Sequence, residues 1–447
     1  LADDGGLLVP EDWPRIAPEE IAAFRGRPYA EVAFAVMSRF VDGEIPDDTF
    51  RAMITDAYGS FHHPATVPLV QLGPNDWLLE LFHGPTLAFK DVAMQILGRL
   101  MDHVLTERDE HLTIVGATSG DTGGAALEAF KSLTGIDIFF MFPHGKISDF
   151  QRRQMTTVGA ENCHAIAIDG SFDDCQSMVK AMFAHDAFRD RVHLSAVNSI
   201  NWGRVMAQVV YYFTAGTSLG APKRKVSFTV PTGNFGDIYA GFVAKIMGLP
   251  IDRLIIATNE NDILPRTLTT GEHALGKVRH TITPSMDIQI SSNFERLLFD
   301  ASGRDAEMVC ALMRDLEETG RYSLPRNLRD EISDVFDVGT ASESETLSEI
   351  RRIYDESGYL CDPHTAVGTH VARQHSQVGT PMITLSTAHP AKFPDAVRTA
   401  TGATPRPPDW ASIPEGRAEA STRLGNDRTA VEAFILGKSR LGSDRIS

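Results

Sequence analysis

Cysteine is scarce. Four occur in 447 residues, at 163, 175, 310 and 361, with no CxxC pair and no short regular spacing. That excludes a disulfide framework and a thiolate zinc site, and suits reduced thiols in the cytoplasm. Long apolar runs are also missing: stretches such as 138–142 and 209–213 fall far short of the ~20 residues that cross a bilayer. Positive charge is the minority, with 42 Lys+Arg against 59 Asp+Glu and a net charge of −17. Such a surface repels phosphate backbones and anionic lipid, so neither a nucleic acid nor a membrane is expected as partner. A few local cations and backbone N–H groups can still hold a small anion. Fifteen histidines are present, but no HExxH occurs, and His370 and His375 are five apart, so no metal site is expected. His389 is expected to shape the turn around Thr387, and His364 to pack at a helix start. The sequence begins at Leu1 rather than Met, so a targeting segment upstream of it is unreadable.

What is present reads as a globular enzyme of two or three domains, with 43% hydrophobic and 23% charged residues. Residues 1–65 look helical: Ile21, Ala22 and Phe24 mark one amphipathic face, and Val32, Phe34, Ala35, Met37 and Phe40 another. The stretch from Phe61 through Pro64 and Pro68 reads as a break. Strands are expected at 112–115, 136–142 and 226–230, separated by helical patterns, an alternation that indicates a doubly wound α/β sheet. After Asp91, the positions Ala93, Ile96, Leu97, Leu100, Met101, Val104 and Leu105 form one helical face, with Lys90 just before it. Ser292 to Glu295 reads as a capping box, and Asp362-Pro363 as a helix start. Beyond Thr401 the composition shifts to Pro, Arg, Asp and Ser, and a last helix falls around 431–436.

Two glycine-rich loops each follow an expected strand and precede an expected helix: Gly116 to Gly124, and Thr232-Gly233-Asn234-Phe235-Gly236-Asp237. Neither is GxGxxG nor GxxxxGK[ST], so dinucleotide and nucleoside-triphosphate fingerprints are not met. Glycine lets backbone N–H groups turn toward a ligand, and a helix N-terminus adds roughly half a positive charge, so each loop can cradle an anion. An ordinary tight turn is the plainer alternative. Lys90 lies between Phe89 and the apolar helix face. Partly desolvated beside a helix N-terminus, its amine loses its proton more easily, which suits Schiff-base formation with a carbonyl cofactor. The alternative is a lysine whose stem packs while its head reaches water.

Phe89-Lys90-Asp91, the loop Thr118-Ser119-Gly120-Asp121-Thr122-Gly123 and Gly233-Asn234-Phe235-Gly236 resemble pyridoxal-phosphate enzymes of the tryptophan-synthase-β fold type. Further segments resemble the threonine synthase family more closely. They are Gly5 to Glu11, Asn198-Ser199-Ile200-Asn201-Trp202-Gly203-Arg204, Ser292-Asn293-Phe294-Glu295-Arg296, Asp362 to Gly368, and Ser386-Thr387-Ala388-His389-Pro390-Ala391-Lys392-Phe393. They run in family order over nearly the whole chain. Cysteine synthases and threonine dehydratases usually carry Asn- or His-containing loops where this chain has Gly120-Asp121-Thr122.

The resemblance implies a lyase that converts O-phospho-L-homoserine and water to L-threonine and phosphate through pyridoxal-phosphate imine and carbanion intermediates. Lys90 is then both the cofactor's attachment point and the base. Gly233, Asn234, Phe235 and Gly236, with Asp237 at the helix start, hold the cofactor phosphate, and Thr387 meets the pyridine nitrogen. Thr118, Ser119 and Thr122 form the substrate carboxylate loop, where Asp121 caps the helix or orients its neighbours. Ser199, Asn201 and Arg204 take the substrate phosphate, with Lys146 as an extra cation. The implied architecture is a helical region 1–65, a smaller mobile α/β domain 93–220, and a larger cofactor-binding α/β domain of 66–92 and 221–447. The active site is expected in the cleft between the last two, in a monomer or homodimer. Two other readings stay open: a same-fold phospho-lyase releasing 2-oxobutyrate and ammonia, and a catalytically silent binding module.

Overall fold

The computed structural model describes residues 4–413 and 416–443. The chain divides into two compact units. One takes in the residues up to 55, 63–82 and 199–406; the other 56–62, 83–198 and the residues from 407 onward. Among the described residues no helix is long and apolar enough to cross a membrane.

With strands numbered along the chain, the first unit is built on β1 (Leu69–Gln71), β2 (Asp76–Glu80), β7 (Val226–Pro231), β8 (Ile251–Thr258), β11 (Phe336–Thr340) and β12 (Met382–Ser386). They lie in the order β1-β2-β12-β7-β8-β11, antiparallel only between β1 and β2. A small antiparallel pair, β9 (Glu272–Ala274) with β10 (Arg321–Ser323), completes the unit's strands. The second unit is an all-parallel sheet of β3 (Leu112–Ala117), β4 (Ile136–Pro143), β5 (Cys163–Asp169), β6 (Leu194–Ser195) and β13 (Thr422–Gly425), in the order β13-β5-β4-β3-β6. All eight residues of β4 are buried, as expected for a parallel strand covered on both faces. The expected strands at 112–115, 136–142 and 226–230 are therefore β3, β4 and β7, each extended by a residue or two.

The domain boundaries differ from expectation in several places: residues 83–92, which carry Lys90 and were expected in the larger domain, and 56–62, expected in the N-terminal region, lie in the second unit. The N-terminal helices through residue 55 belong to the first unit rather than standing apart. Val32, Val36 and Met37 are buried there, Phe24 meets Phe213 edge-on at 5.9 Å, and Phe40 meets Trp202 at 5.5 Å. The helix Trp202–Ser218, expected in the smaller domain, also belongs to the first unit, because its Tyr212 hydroxyl donates to Asp237 Oδ1 at 3.0 Å. Residues from 407 onward, expected in the larger domain, join the second unit. There β13 covers the open edge of β5, and Val431 and Ile435 sink among Phe139, Ile166 and Met178. Arg440 Nε then holds Asp137 Oδ1 at 3.0 Å. An uncovered parallel edge leaves a row of unpaired backbone groups, so a terminal strand laid along it is stabilising.

Candidate active site

The helix Lys90–Arg108 begins at Lys90 itself, not after Asp91. The turn before it is fixed by Asp91, whose fully buried carboxylate accepts from Thr86 N and Thr86 Oγ1, both at 2.7 Å. A Cβ on Gly84 would stand 2.5 Å from that of Asp91, so this turn admits only glycine there. Replacing Asp91 with Ala leaves two buried donors without this acceptor. We expect a loss of about 2–4 kcal/mol of stability, read from the urea midpoint at unchanged m-value.

Lys90 is 8% exposed, its Nζ 4.8 Å from the Phe89 ring centre and 3.5 Å from Asp121 Oδ2. Asp121 is the first residue of the helix Asp121–Phe130, and Gly120 occupies the cap position. The cap position is thus not its own, and its carboxylate is held by side chains instead. Gln151 Nε2 donates to Asp121 Oδ1 at 2.8 Å, and Gln151 Oε1 accepts from Ser148 Oγ at 3.0 Å. Gly120, at φ +135°, lies so close to Gln151 that a Cβ would meet its Cδ at 2.5 Å. Thr118 takes over the loop's internal bracing. Its Oγ1 accepts from Gly120 N and Gly123 N, both at 2.9 Å, which uses its lone pairs and leaves its O–H to donate. Ser119 and Thr122 are half-buried beside it. Lys146 is exposed on the turn after β4; the Asp174 carboxyl is held low chiefly by hydrogen bonds from Ser171, with the Lys146 charge a lesser cause.

In the first unit the second glycine loop joins β7 to the helix Gly236–Ile246. Ser291 Oγ donates to Gly233 O at 2.6 Å, and Asn293 N and Nδ2 donate to Asn234 O at 3.1 and 2.9 Å. In a trans peptide the N–H points opposite to the C=O, so the N–H groups of Asn234 and Phe235 face away from that segment and are left for an anion. Phe235 sits at φ +65°, a left-handed conformation that costs free energy for a bulky residue and marks a functional turn. A Cβ on Gly233 would fall 2.4 Å from Ser285 O. Ser285 is itself held by its N–H to His364 Nε2 at 3.3 Å, while His364 Nδ1 donates to Asp362 Oδ1 at 2.9 Å. Asp362 also caps the helix Pro363–His375, as the sequence predicts.

Asp237 is buried in the first turn of the helix Gly236–Ile246. Tyr211 and Tyr212 both donate to its Oδ1. Asn201 caps the helix Trp202–Ser218, its Oδ1 accepting from Gly203 N at 2.9 Å, which leaves its amide N–H groups to donate. Ser199 is half-buried and Arg204 is 5% exposed; burial pulls the Arg204 guanidinium down to about 10. Thr387 is buried directly after β12, and His389 Nδ1 accepts from Ala391 N at 3.1 Å, shaping that turn. The expected capping box at Ser292 to Glu295 does not form. The helix starts at Phe294 with no side-chain cap, because Glu295 Oε1 accepts from Leu7 N at 2.9 Å instead. Asn293 stands in the sequence only as part of a family-resembling segment, with no role given to it, and Gln151 is not singled out at all.

The residues fit pyridoxal phosphate: a buried amine at a helix start, and an N–H-lined loop on a helix N-terminus that tolerates no Cβ at Gly233. The family described as "Pyridoxal-phosphate dependent enzyme" matches residues 67–325, and the fold and site define a member of that class. "Threonine synthase N terminus" matches residues 1–58 and "Threonine synthase, C-terminal" residues 365–435. Threonine synthase of Pseudomonas aeruginosa is 51% identical over 437 residues, covering 97% of this chain and 93% of that protein. The crystal structure of PLP-bound threonine synthase from Brucella melitensis superposes with a TM-score of 0.96 at 55% identity, covering 98% of this chain and 94% of that one. Yeast threonine synthase gives 0.91 at 37% identity, with the same coverage. The chain belongs to the threonine synthase family.

Proposed function

We infer that the chain converts O-phospho-L-homoserine and water to L-threonine and phosphate, with Lys90 as the cofactor's attachment point and the residue that moves protons. Pyridoxal phosphate, when bound, supplies the electron sink that lets protons leave the substrate's Cα and Cβ. The observation that carries the assignment of Lys90 is its buried amine, 3.5 Å from Asp121 Oδ2 at a helix start. Once released by the incoming substrate amine, Lys90 Nζ is the base that takes and returns protons. Asp121, steadied by Gln151, gives that nitrogen a counter-charge whenever it holds a proton.

The remaining roles follow from the loops. Backbone N–H groups around Gly233, Asn234, Phe235 and Gly236, with the dipole of the helix that Asp237 helps open, hold the cofactor phosphate. The Thr387 hydroxyl meets the pyridine nitrogen; unlike a carboxylate it does not keep that nitrogen protonated. Ser119, Thr122 and the Thr118 O–H bind the substrate carboxylate. Ser199, Asn201 and Arg204 bind its phosphate, with Lys146 as an extra cation. Four free thiols, with Cys163 and Cys175 pushed up to about 12 and about 11 by burial, suit a reducing cytoplasm. We take the working form to be a monomer or homodimer.

Incubating the purified holoenzyme with O-phospho-L-homoserine and identifying the organic product by NMR tests the reaction. Threonine and phosphate in equal amounts are expected. 2-Oxobutyrate with ammonia instead makes it a phospho-lyase, and no product at all makes it a binding module.

A further inference from the structure

The segment Ser291 to Arg296 lies on no strand and supplies none of the loops assigned above, yet its polar atoms reach two of them. Asn293 is 0% exposed. Its Nδ2 donates to Asn234 O at 2.9 Å and to Ser199 O at 3.2 Å, and its Oδ1 accepts from Arg296 Nε at 3.1 Å. Arg296, 2% exposed, donates onward through Nη2 to Ile200 O at 2.6 Å. Gly236 lies at the same junction: a Cβ there would be 3.3 Å from Asn293 Nδ2 and 3.6 Å from Ser199 O. One buried amide therefore ties the carbonyl side of the Gly233–Gly236 loop to that of the loop carrying Ser199, Asn201 and Arg204. Both loops lie in the same unit.

We propose that Asn293, steadied by Arg296, is a positioning residue that locks the cofactor-phosphate loop and the substrate-phosphate loop into one arrangement, so that order in either favours the other. This rests on the reading of Ser199, Asn201 and Arg204 as the substrate-phosphate site. A carbonyl held by a buried donor fixes its whole peptide plane, and with it the N–H or side chain offered on the opposite side. Because the same amide holds both loops, its loss frees both, and two sites sharing one ordered element are energetically coupled.

The test compares wild type, Asn293→Ala and Asn293→Asp. The Asp variant keeps the acceptor for Arg296 but sets a carboxylate oxygen against the two carbonyls, so a loss shared by cofactor and phosphonate counts for the coupling only where the neutral Ala variant shows it too. Three affinities are measured: pyridoxal 5'-phosphate on cofactor-free enzyme, by tryptophan fluorescence; then 2-amino-5-phosphonopentanoate and 2-aminopentanoate on the holoenzyme, by visible absorbance. The phosphonate is the substrate with its ester oxygen replaced by CH2, and the second ligand is its phosphate-free counterpart. Cofactor and phosphonate should each weaken about tenfold, one net hydrogen bond of ~1.4 kcal/mol per loop, while 2-aminopentanoate stays within about twofold. Ser291→Ala, which touches only Gly233 O, should weaken the cofactor alone. If the Asn293 variants move only one of the two affinities, or weaken both amino acids alike, the coupling role is wrong. If the Ala variant does not fold, Asn293→Ser, which is neutral and too short to reach both carbonyls, takes its place. Arg204→Gln separates the two claims: unchanged preference for the phosphonate there refutes the phosphate-site reading. Lost preference there, with full preference in Asn293→Asp, refutes the coupling role alone.

Discussion

Lys90→Ala is expected to stop threonine formation, with a fall in kcat of about 10⁴-fold or more, because one side chain both attaches the cofactor and moves the protons. The variant should nevertheless fold. Lys90 is the first residue of its helix, where a cation opposes the dipole, and alanine propagates a helix well. The holoenzyme should be yellow, and borohydride should fix the cofactor to the peptide containing Lys90. The variant should show neither this colour nor the label, and phosphate release followed by a coupled assay should stay at background. A normal rate, or a label on another lysine, removes the assignment of Lys90. Lys392, fully buried on the turn after β12, is the informative comparison, since its burial matches that of a reactive lysine.

The sequence announced Lys90 through the aromatic residue before it and the apolar helix face after it, and each glycine loop through a strand, a glycine-rich turn and a helix close together, patterns carried by local chemistry. β3, β4 and β7 were legible for the same reason: they are short, β-branched or aromatic, and buried on both faces. What escaped was non-local. The four residues of β13 carry no periodicity of their own and become a strand only because β5 has an open edge to fill. Asp121 looked like a helix cap from its position, but Gln151, thirty residues on, claims one carboxylate oxygen and Lys90 the other. Ser292 and Glu295 have capping-box spacing, yet Glu295 finds Leu7 N, a partner from the start of the chain. Asp237 stands at a helix start beside a phosphate loop in sequence, and two tyrosines of a neighbouring helix donate to its carboxylate. In each case a long-range hydrogen bond in a desolvated setting outweighs the short-range one that spacing suggests.

Arg204→Gln should reduce kcat/KM for O-phospho-L-homoserine by about 10²–10³-fold, mostly through KM, since a guanidinium grips phosphate with two charge-assisted hydrogen bonds that an amide cannot match. Arg204→Lys should recover only part of this, because an ammonium offers a point charge rather than a fork. Stability should respond in the opposite sense. Burial is the main cause that brings the Arg204 guanidinium down to about 10 from its ordinary 12.5, so the folded protein pays for keeping that charge. The neutral glutamine should therefore leave the melting temperature unchanged or higher, as is common where function requires an unfavourable buried charge. The same shift fixes the sign of the pH dependence. Burial lowers the Arg204 guanidinium, so its charge is present at neutral pH and phosphate recognition weakens only toward strongly alkaline pH. The ratio of phosphonate to 2-aminopentanoate affinity cancels the titration of the ligands' shared amine. In the wild type it should fall toward alkaline pH as the lowered guanidinium loses charge, while in Arg204→Gln it should be low and flat across the range. A ratio that falls equally in both proteins assigns the titration to another group and takes Arg204 out of the phosphate site.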